Sequence, residues 1–204
     1  MVGVEGPHGA GVAVVDIDDA RGMGELARHV RALGHRHVAV LMRTTRIEED
    51  GPPGPVLPVG RDLEDIVNRT IRERLRAAWS VFPDAVRVEA GGRDLEAGER
   101  AAGVLLDLPS RPTAILAQND MLAASAIRAA TARGLRVPED LTVTGFDGAH
   151  LPWLERRLTT VEQPLHDRGM RAGRMVGELL AGRAPASVVL PVHVRIGETA
   201  AAPA

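Results

Sequence analysis

Polar side chains able to hold a small molecule stand directly after apolar runs in this chain. Gln118, Asn119 and Asp120 follow Thr113–Ala117, Asp147 and Gly148 follow Leu141–Phe146, and Glu89 to Arg93 stand at the end of the strand-like Val86-Arg-Val-Glu89. Asp and Asn offer paired acceptors and donors, and Arg offers a planar fork of donors, which suits hydroxyls or ring heteroatoms of a ligand. Covalent or acid-base catalysis needs a nucleophile and a base in a defined constellation. The seven histidines, at positions 8, 29, 35, 37, 150, 166 and 193, make no His-Glu-x-x-His pattern, and there is no Gly-x-Ser-x-Gly or phosphate-loop motif. Arg21-Gly-Met-Gly24 is an incomplete dinucleotide fingerprint. The residue types point to binding and not to an enzyme, with no cofactor and no metal site expected.

The elements that must position these residues alternate. Val12–Asp16 is a short apolar run that reads as a buried strand. Leu26, Val30 and Leu33 recur at helical spacing, and Gly34 suits the end of that helix. His37–Leu41 is a second strand. Residues 43–60 carry Gly51-Pro-Pro-Gly-Pro55 and Pro58-Val-Gly60, which read as an exposed loop. A helix is expected from Asp62 to about Ser80, a strand at Val86–Glu89, and a helix capped by Asp94 to about Asp107. A strand at Thr113–Ala117 precedes an Ala-rich helix opened by Asp120 and ended at Gly134. Leu141–Phe146 is a strand, Leu158–Val161 is extended, His166–Leu180 is a helix, Val188–Ile196 is a last strand, and Ala200–Ala204 reads as a frayed tail. Such alternation implies an α/β fold with a mostly parallel sheet covered by helices on both faces. Ligands bind such sheets beyond the carboxyl ends of the strands, where the polar residues above fall.

Composition sets the outer bounds. The 204 residues include 45% hydrophobic and 25% charged, which suits a folded domain with its own core. There is no cysteine, so disulfides and thiolate metal sites are excluded. The formal net charge of −2 argues against wholesale nucleic-acid binding by this segment, although all 25 basic residues are arginine. No apolar run approaches a membrane span, and the first residues lack the layout of a signal peptide. A cytoplasmic location without membrane contact is expected.

The stretch from Pro112 to Asp147 resembles the lactose-repressor (LacI/GalR) family of transcription regulators. It carries Pro112-Thr-Ala, Asn119-Asp120, Gly134-Leu-Arg-Val-Pro-Glu-Asp140 and Gly145-Phe-Asp147 in the family's order and spacing. Arg157-Leu-Thr-Thr-Val-Glu-Gln-Pro164 and Leu33-Gly-His-Arg36 are further matches. The resemblance implies a periplasmic-binding-protein-like (type I) doubly wound fold, with one complete lobe and a remnant of the other. Residues 1–17 would be the remnant of the N-terminal lobe and 18–160 the C-terminal effector-binding lobe. Residues 161–183 would be the crossover and the return helix of the N-terminal lobe, and 184–204 the final strand and tail. The family's helix-turn-helix domain and the first part of its N-terminal lobe have no counterpart here, so operator DNA would be reached only through a domain absent from this chain.

The resemblance also implies a role: a small-molecule effector, sugar-like or purine-like, held between lobes that close across a homodimer. The region of residues 120–133 would contribute to that dimer. Asp147 is similar to a ligand-binding Asp of the family; the alternative is a loop Asp bonded to nearby backbone amides. Asn119 is similar to a cleft Asn, or else stabilises the strand-to-helix junction, while Asp120 is expected as the helix cap. Arg74 falls at a ligand-contacting Arg, or else on a solvated arginine-rich face. Glu5 falls where some members place a cleft Asp. Arg93 falls where some sugar-binding members have a stacking Trp. Gln163 reads as a crossover residue with a structural role, and Trp79 and Trp153 as core or interface filling. The alternatives to a regulator's sensing region are a stand-alone binding protein of the same fold and a non-functional truncated fragment.

Overall fold

A computed structural model describes residues 1–6, 9–43, 63, 66, 68–92 and 94–204. Two parallel sheets and one antiparallel pair carry the fold. The first sheet has the order β1-β2-β8, from Val2–Val4, Ala13–Ile17 and Val188–Leu190. The second has the order β4-β3-β5-β6, from Val86–Glu89, Val38–Met42, Ala114–Ala117 and Thr142–Thr144. The strands β7, Thr160–Glu162, and β9, His193–Arg195, pair antiparallel.

Five helices connect them: α1 Asp19–Ala32, α2 Arg69–Val81, α3 Leu95–Leu106, α4 Asp120–Thr131 and α5 Leu165–Leu180. The second sheet is doubly wound. Alternate residues of β3 face opposite ways, as the two-residue period of a strand requires. Val38, Val40 and Met42 join a core with α1 and α2, while Ala39 and Leu41 join one with α3 and α4. Burial on both faces explains why these strands read as continuous apolar runs. The chain winds from β3 to β4 on one side and to β5 on the other. That reversal opens a crevice beyond the carboxyl ends of β3 and β5.

Local chemistry sets the helix starts. Asp18, Asn68, Asp94 and Asn119 each accept a hydrogen bond from a backbone amide three residues on, satisfying a donor that the first turn leaves free. The expected cap at Asp94 is therefore present, whereas α4 is capped by Asn119 and not by Asp120. The segment 43–60, expected as an exposed loop, lies outside the described residues apart from Arg43. The helix expected from Asp62 begins at Arg69.

Two further expectations need correction. The strand expected over Val188–Ile196 is two strands. Pro191 has no amide hydrogen to continue a ladder. Before it, β8 pairs with β2 of the first sheet; after it, β9 pairs with β7. The tail is also not frayed. Thr199 is buried, its hydroxyl donates to the Val143 carbonyl at 2.7 Å, and the Val143 amide donates to the Thr199 carbonyl at 2.8 Å. His35, itself buried, contacts the Ala201 carbonyl through Nε2 at 2.8 Å. Backbone pairing against β6 thus orders a segment whose small residues carry no sequence signal.

Gly22 shows what the incomplete dinucleotide pattern does instead. It lies inside α1, and a Cβ there would stand 2.7 Å from a Val192 methyl and 2.9 Å from a Val161 methyl. The glycine lets α1 approach the β7–β9 pair.

Candidate functional site

Strand ends from both sheets meet α1, α2 and α5 in one polar cluster. Arg74 is its centre. It lies on α2 with Ile71, Leu75 and Ala78, at the three- and four-residue spacing of the buried face. Only 2% of its surface is exposed. Its neighbours Arg69 and Arg76 have side chains nearly half exposed. The solvated-face alternative therefore holds for those two arginines and fails for Arg74.

A guanidinium taken out of water must have every donor placed. Arg74 Nε donates to Asp19 Oδ1 at 2.7 Å, and Nη1 donates to the Gln118 carbonyl at 2.5 Å and to Asp147 Oδ1 at 3.3 Å. Its planar group lies 3.5 Å from the centroid of the Phe146 ring. No sequence signal marks Asp19, Gln118 and Phe146 as partners of this arginine. Only the fold brings the start of α1 and the end of β5 to this side of α2.

Asp147 leaves β6 with φ +121°, in the left-handed region that a non-glycine residue rarely adopts. Its amide donates to the Val161 carbonyl at 2.9 Å, which pins the turn against β7. The carboxylate is half-buried and accepts at Oδ1 from Arg74 and, at 2.6 Å, from Gln163 Nε2. The side chain is thus aimed at Arg74 and Gln163 rather than at its own loop. Burial raises its pKa, and Arg74 pulls the other way. Asp19 is raised by burial as well, again opposed by Arg74.

Asn119 is half-buried and its Oδ1 accepts from the Leu122 amide at 2.8 Å, so this oxygen is committed to capping α4. Asp120 does something else. It is fully buried, with Oδ2 accepting from the Ala149 amide at 2.6 Å and Oδ1 from the Thr160 hydroxyl at 2.5 Å. It fastens the loop after Asp147 and strand β7 to the start of α4. Burial pushes its carboxyl up to about 6, against the opposing effect of those hydrogen bonds. Beside it, Gly145 leaves no room for a side chain: a Cβ there would lie 2.2 Å from Asp120 Oδ1.

The far side of the cluster comes from the first sheet and α5. Glu5 follows β1 with φ +59°, and its Oε1 lies 3.0 Å from Arg168 Nη1. Arg168 Nη1 also donates to Gln163 Oε1. Asp16 of β2 pairs with Arg69. Of the expected site residues, Asp147, Arg74 and Glu5 are joined through this network, Asn119 lies next to Gln118 in the chain, and Arg93 lies outside the described residues. Among the described residues no group of His, Asp and Glu side chains is arranged to hold a metal ion, and no helix is long and apolar enough to cross a membrane.

A depression of about 730 Å³ lies away from this cluster, lined in part by Ile127, Leu135, Val137, Trp153 and Leu154. Trp153 is 54% exposed there. Trp79 is partly buried, and its indole N–H donates to the Ala85 carbonyl at 3.2 Å.

A doubly wound sheet with polar side chains converging at its carboxyl end defines a ligand-binding type of α/β protein. Residues 27–200 match the periplasmic binding protein-like domain, and the chain belongs to that family, in the form found in LacI-family transcription regulators. It is 36% identical over 215 residues to an HTH-type transcriptional regulator of Mycolicibacterium smegmatis, covering 100% of this chain and 58% of that protein. It is 37% identical over 205 residues to the HTH-type transcriptional regulator Rv3575c of Mycobacterium tuberculosis, covering 96% of this chain and 55% of the relative. The chain thus spans a little over half the length of these relatives.

Among solved structures, a LacI-family regulator of Corynebacterium glutamicum superposes with TM-score 0.85 at 27% identity, covering 98% of this chain and 60% of the other. A LacI-family regulator of Enterococcus faecium with bound ribose shares the fold, with TM-score 0.80 at 19% identity, covering 98% of this chain and 70% of that one.

Proposed function

We propose that this chain is the effector-binding region of a LacI-type transcriptional regulator and that its cleft takes a small polar molecule, sugar-like or nucleoside-like. The observation that carries the reading is the state of Asp147. Its carboxylate is half-buried and held at one oxygen by Arg74 and Gln163. Among the described residues no partner engages the other oxygen. A fixed acceptor, half open at the carboxyl end of a parallel sheet, suits a ligand hydroxyl or ring N–H. Arg74 acts from behind, orienting Asp147. Asn119 and Glu5 stand at the rim, and Arg93, outside the described residues, is a further contact by its sequence position alone.

In this reading residues 1–17 and 161–183 belong to one lobe and 18–160 to the other, with 184–204 running along both. Ligand favours the closed arrangement and shifts the population toward it. A homodimer formed on the side of α4 and Trp153 passes that change on, in the cytoplasm, to DNA-binding domains carried outside this chain.

The test is thermal unfolding with D-ribose, D-glucose, adenine and guanine as probes. A probe that raises the melting temperature of the wild-type chain should leave that of Asp147→Ala unchanged, with the ligand-free variant still folded. An equal rise in the variant contradicts the assignment, as does the absence of any rise across the panel.

A further inference from the structure

We infer that Gln163 and Arg168 are positioning residues that couple Asp147, after β6, to Glu5, after β1, across the cleft. The inference rests on the reading of Asp147 as a ligand contact and goes beyond it.

Backbone strain is the first observation. Glu5 and Asp147 are the only non-glycine residues with positive φ among the described residues, at +59° and +121°. Strain of this kind persists only where surrounding contacts over-determine it, and it gathers at functional positions. The two residues end strands of different sheets, yet one chain of polar contacts joins them. Glu5 Oε1 lies 3.0 Å from Arg168 Nη1, Arg168 Nη1 donates to Gln163 Oε1, and Gln163 Nε2 donates to Asp147 Oδ1 at 2.6 Å.

Arg168 is the second observation. Helix α5 is largely exposed, and Arg168 and Met175 are its buried residues. An arginine that is 6% exposed on an otherwise wet helix forgoes hydration that an outward rotamer would keep. Its partners are Glu5, after β1, and Gln163, which in turn reaches Asp147 on the other side of the cleft.

The third is the polarity of the Gln163 amide. An amide presents a donor at one end and an acceptor at the other, and the network decides which way it points. Arg168 has only donors, so the Gln163 oxygen must face it. The amide nitrogen is then forced toward Asp147. Without Arg168 only Asp147 still orients the amide, and the donor to Asp147 loses the contact that holds its far end. Arg168 therefore acts on Asp147 through Gln163 and need not touch it.

The experiment uses the full chain without ligand. Carboxyl ¹³C NMR titrations of Asp147 and Glu5 are compared in wild type, Gln163→Leu, Arg168→Met and the double variant. Asp147 is also faced by Arg74 from α2, by Asp120 at the start of α4 and by Glu5, all unchanged in these variants. Loss of a hydrogen bond to the charged form should raise the Asp147 midpoint by about half a pH unit or more in Arg168→Met. That rise should largely vanish when Gln163 is already Leu. If Arg168→Met does not fold, Arg168→Lys replaces it, keeping the charge but not the planar fork. An Asp147 midpoint indifferent to residue 168, or one that moves equally in the Gln163→Leu background, overturns the coupling. Neither outcome depends on finding an effector, so failure of this inference and failure of the effector reading remain distinct.

Discussion

Replacing Asp120 by Asn should stabilise the protein at neutral pH and remove part of its pH dependence. The carboxyl is fully buried between α4, the Gly148–Ala149 loop and β7, and burial pushes it up to about 6 from an ordinary 3.8. The folded chain thus holds this proton more tightly than the unfolded chain. Its stabilising effect is complete below about pH 3.8 and is lost as pH rises through about 6. At 1.36 kcal/mol per pH unit the whole loss is about 3 kcal/mol, of which about 2 kcal/mol falls between pH 4.5 and 7. Asn mimics the neutral acid: its oxygen accepts from Ala149 and its amide donates to Thr160. Urea unfolding followed by the fluorescence of Trp79 and Trp153, at several pH values from 4.5 to 7.5, gives the difference between variant and wild type. The difference isolates Asp120 from other titrating groups, above all from His35. It should grow with pH toward about 3 kcal/mol in favour of the Asp120→Asn variant and level off above pH 7. A flat difference, or one that shrinks as pH rises, refutes the reasoning.

Further outcomes follow from the same geometry. Gly145→Ala places a Cβ 2.2 Å from Asp120 Oδ1 and 2.8 Å from a Leu158 methyl, and should cost about 1–3 kcal/mol in urea unfolding. Arg74→Met takes the cationic partner from both Asp19 and Asp147 and should cost about 3–5 kcal/mol, while raising both carboxyl midpoints by NMR. Thr199→Val removes the hydroxyl that donates to Val143 and accepts from the Thr159 amide, and should cost about 1–3 kcal/mol. His35 is held below its ordinary 6.5 by burial. Its contribution is therefore present above that value and lost as pH falls through the lower folded-state pKa, a trend opposite to Asp120 that His35→Gln should flatten in an acid titration of stability.

Much of the architecture was legible because strands buried on both faces write largely apolar runs, clearest at β3 and β5, and β3, β4, β5 and β6 fall within a residue of the stretches expected at 37–41, 86–89, 113–117 and 141–146. Asp94 was legible as a cap because only one acid precedes its helix at the right place. Asn119 and Asp120 were not separable by that logic, since either can accept from a first-turn amide; the tight approach of Gly145 and Thr160 decided which one turned inward. Proximity across the chain was harder still. Nothing local ties Asp19 to Arg74, 55 residues apart, or Glu5 to Arg168. The arginine-rich run 69–76 hid the buried member because charge composition is blind to which face of α2 meets the core. The split at Pro191 was visible in the residue type, yet the pairing of β8 with β2 and of β9 with β7 is a tertiary fact. The docked tail had no signal at all, since its hydrogen bonds are made largely by backbone atoms of small residues.

The central claim is that ligand enters at Asp147, and the most direct measurement is an amide ¹H–¹⁵N NMR titration of the full chain with the probe that raises its melting temperature. The account predicts saturable shifts concentrated at Asp147, Gly148, Asn119 and Gln163, absent in Asp147→Ala. Shifts centred instead on Ile127, Trp153 and Leu154, or unchanged by Asp147→Ala, would contradict it.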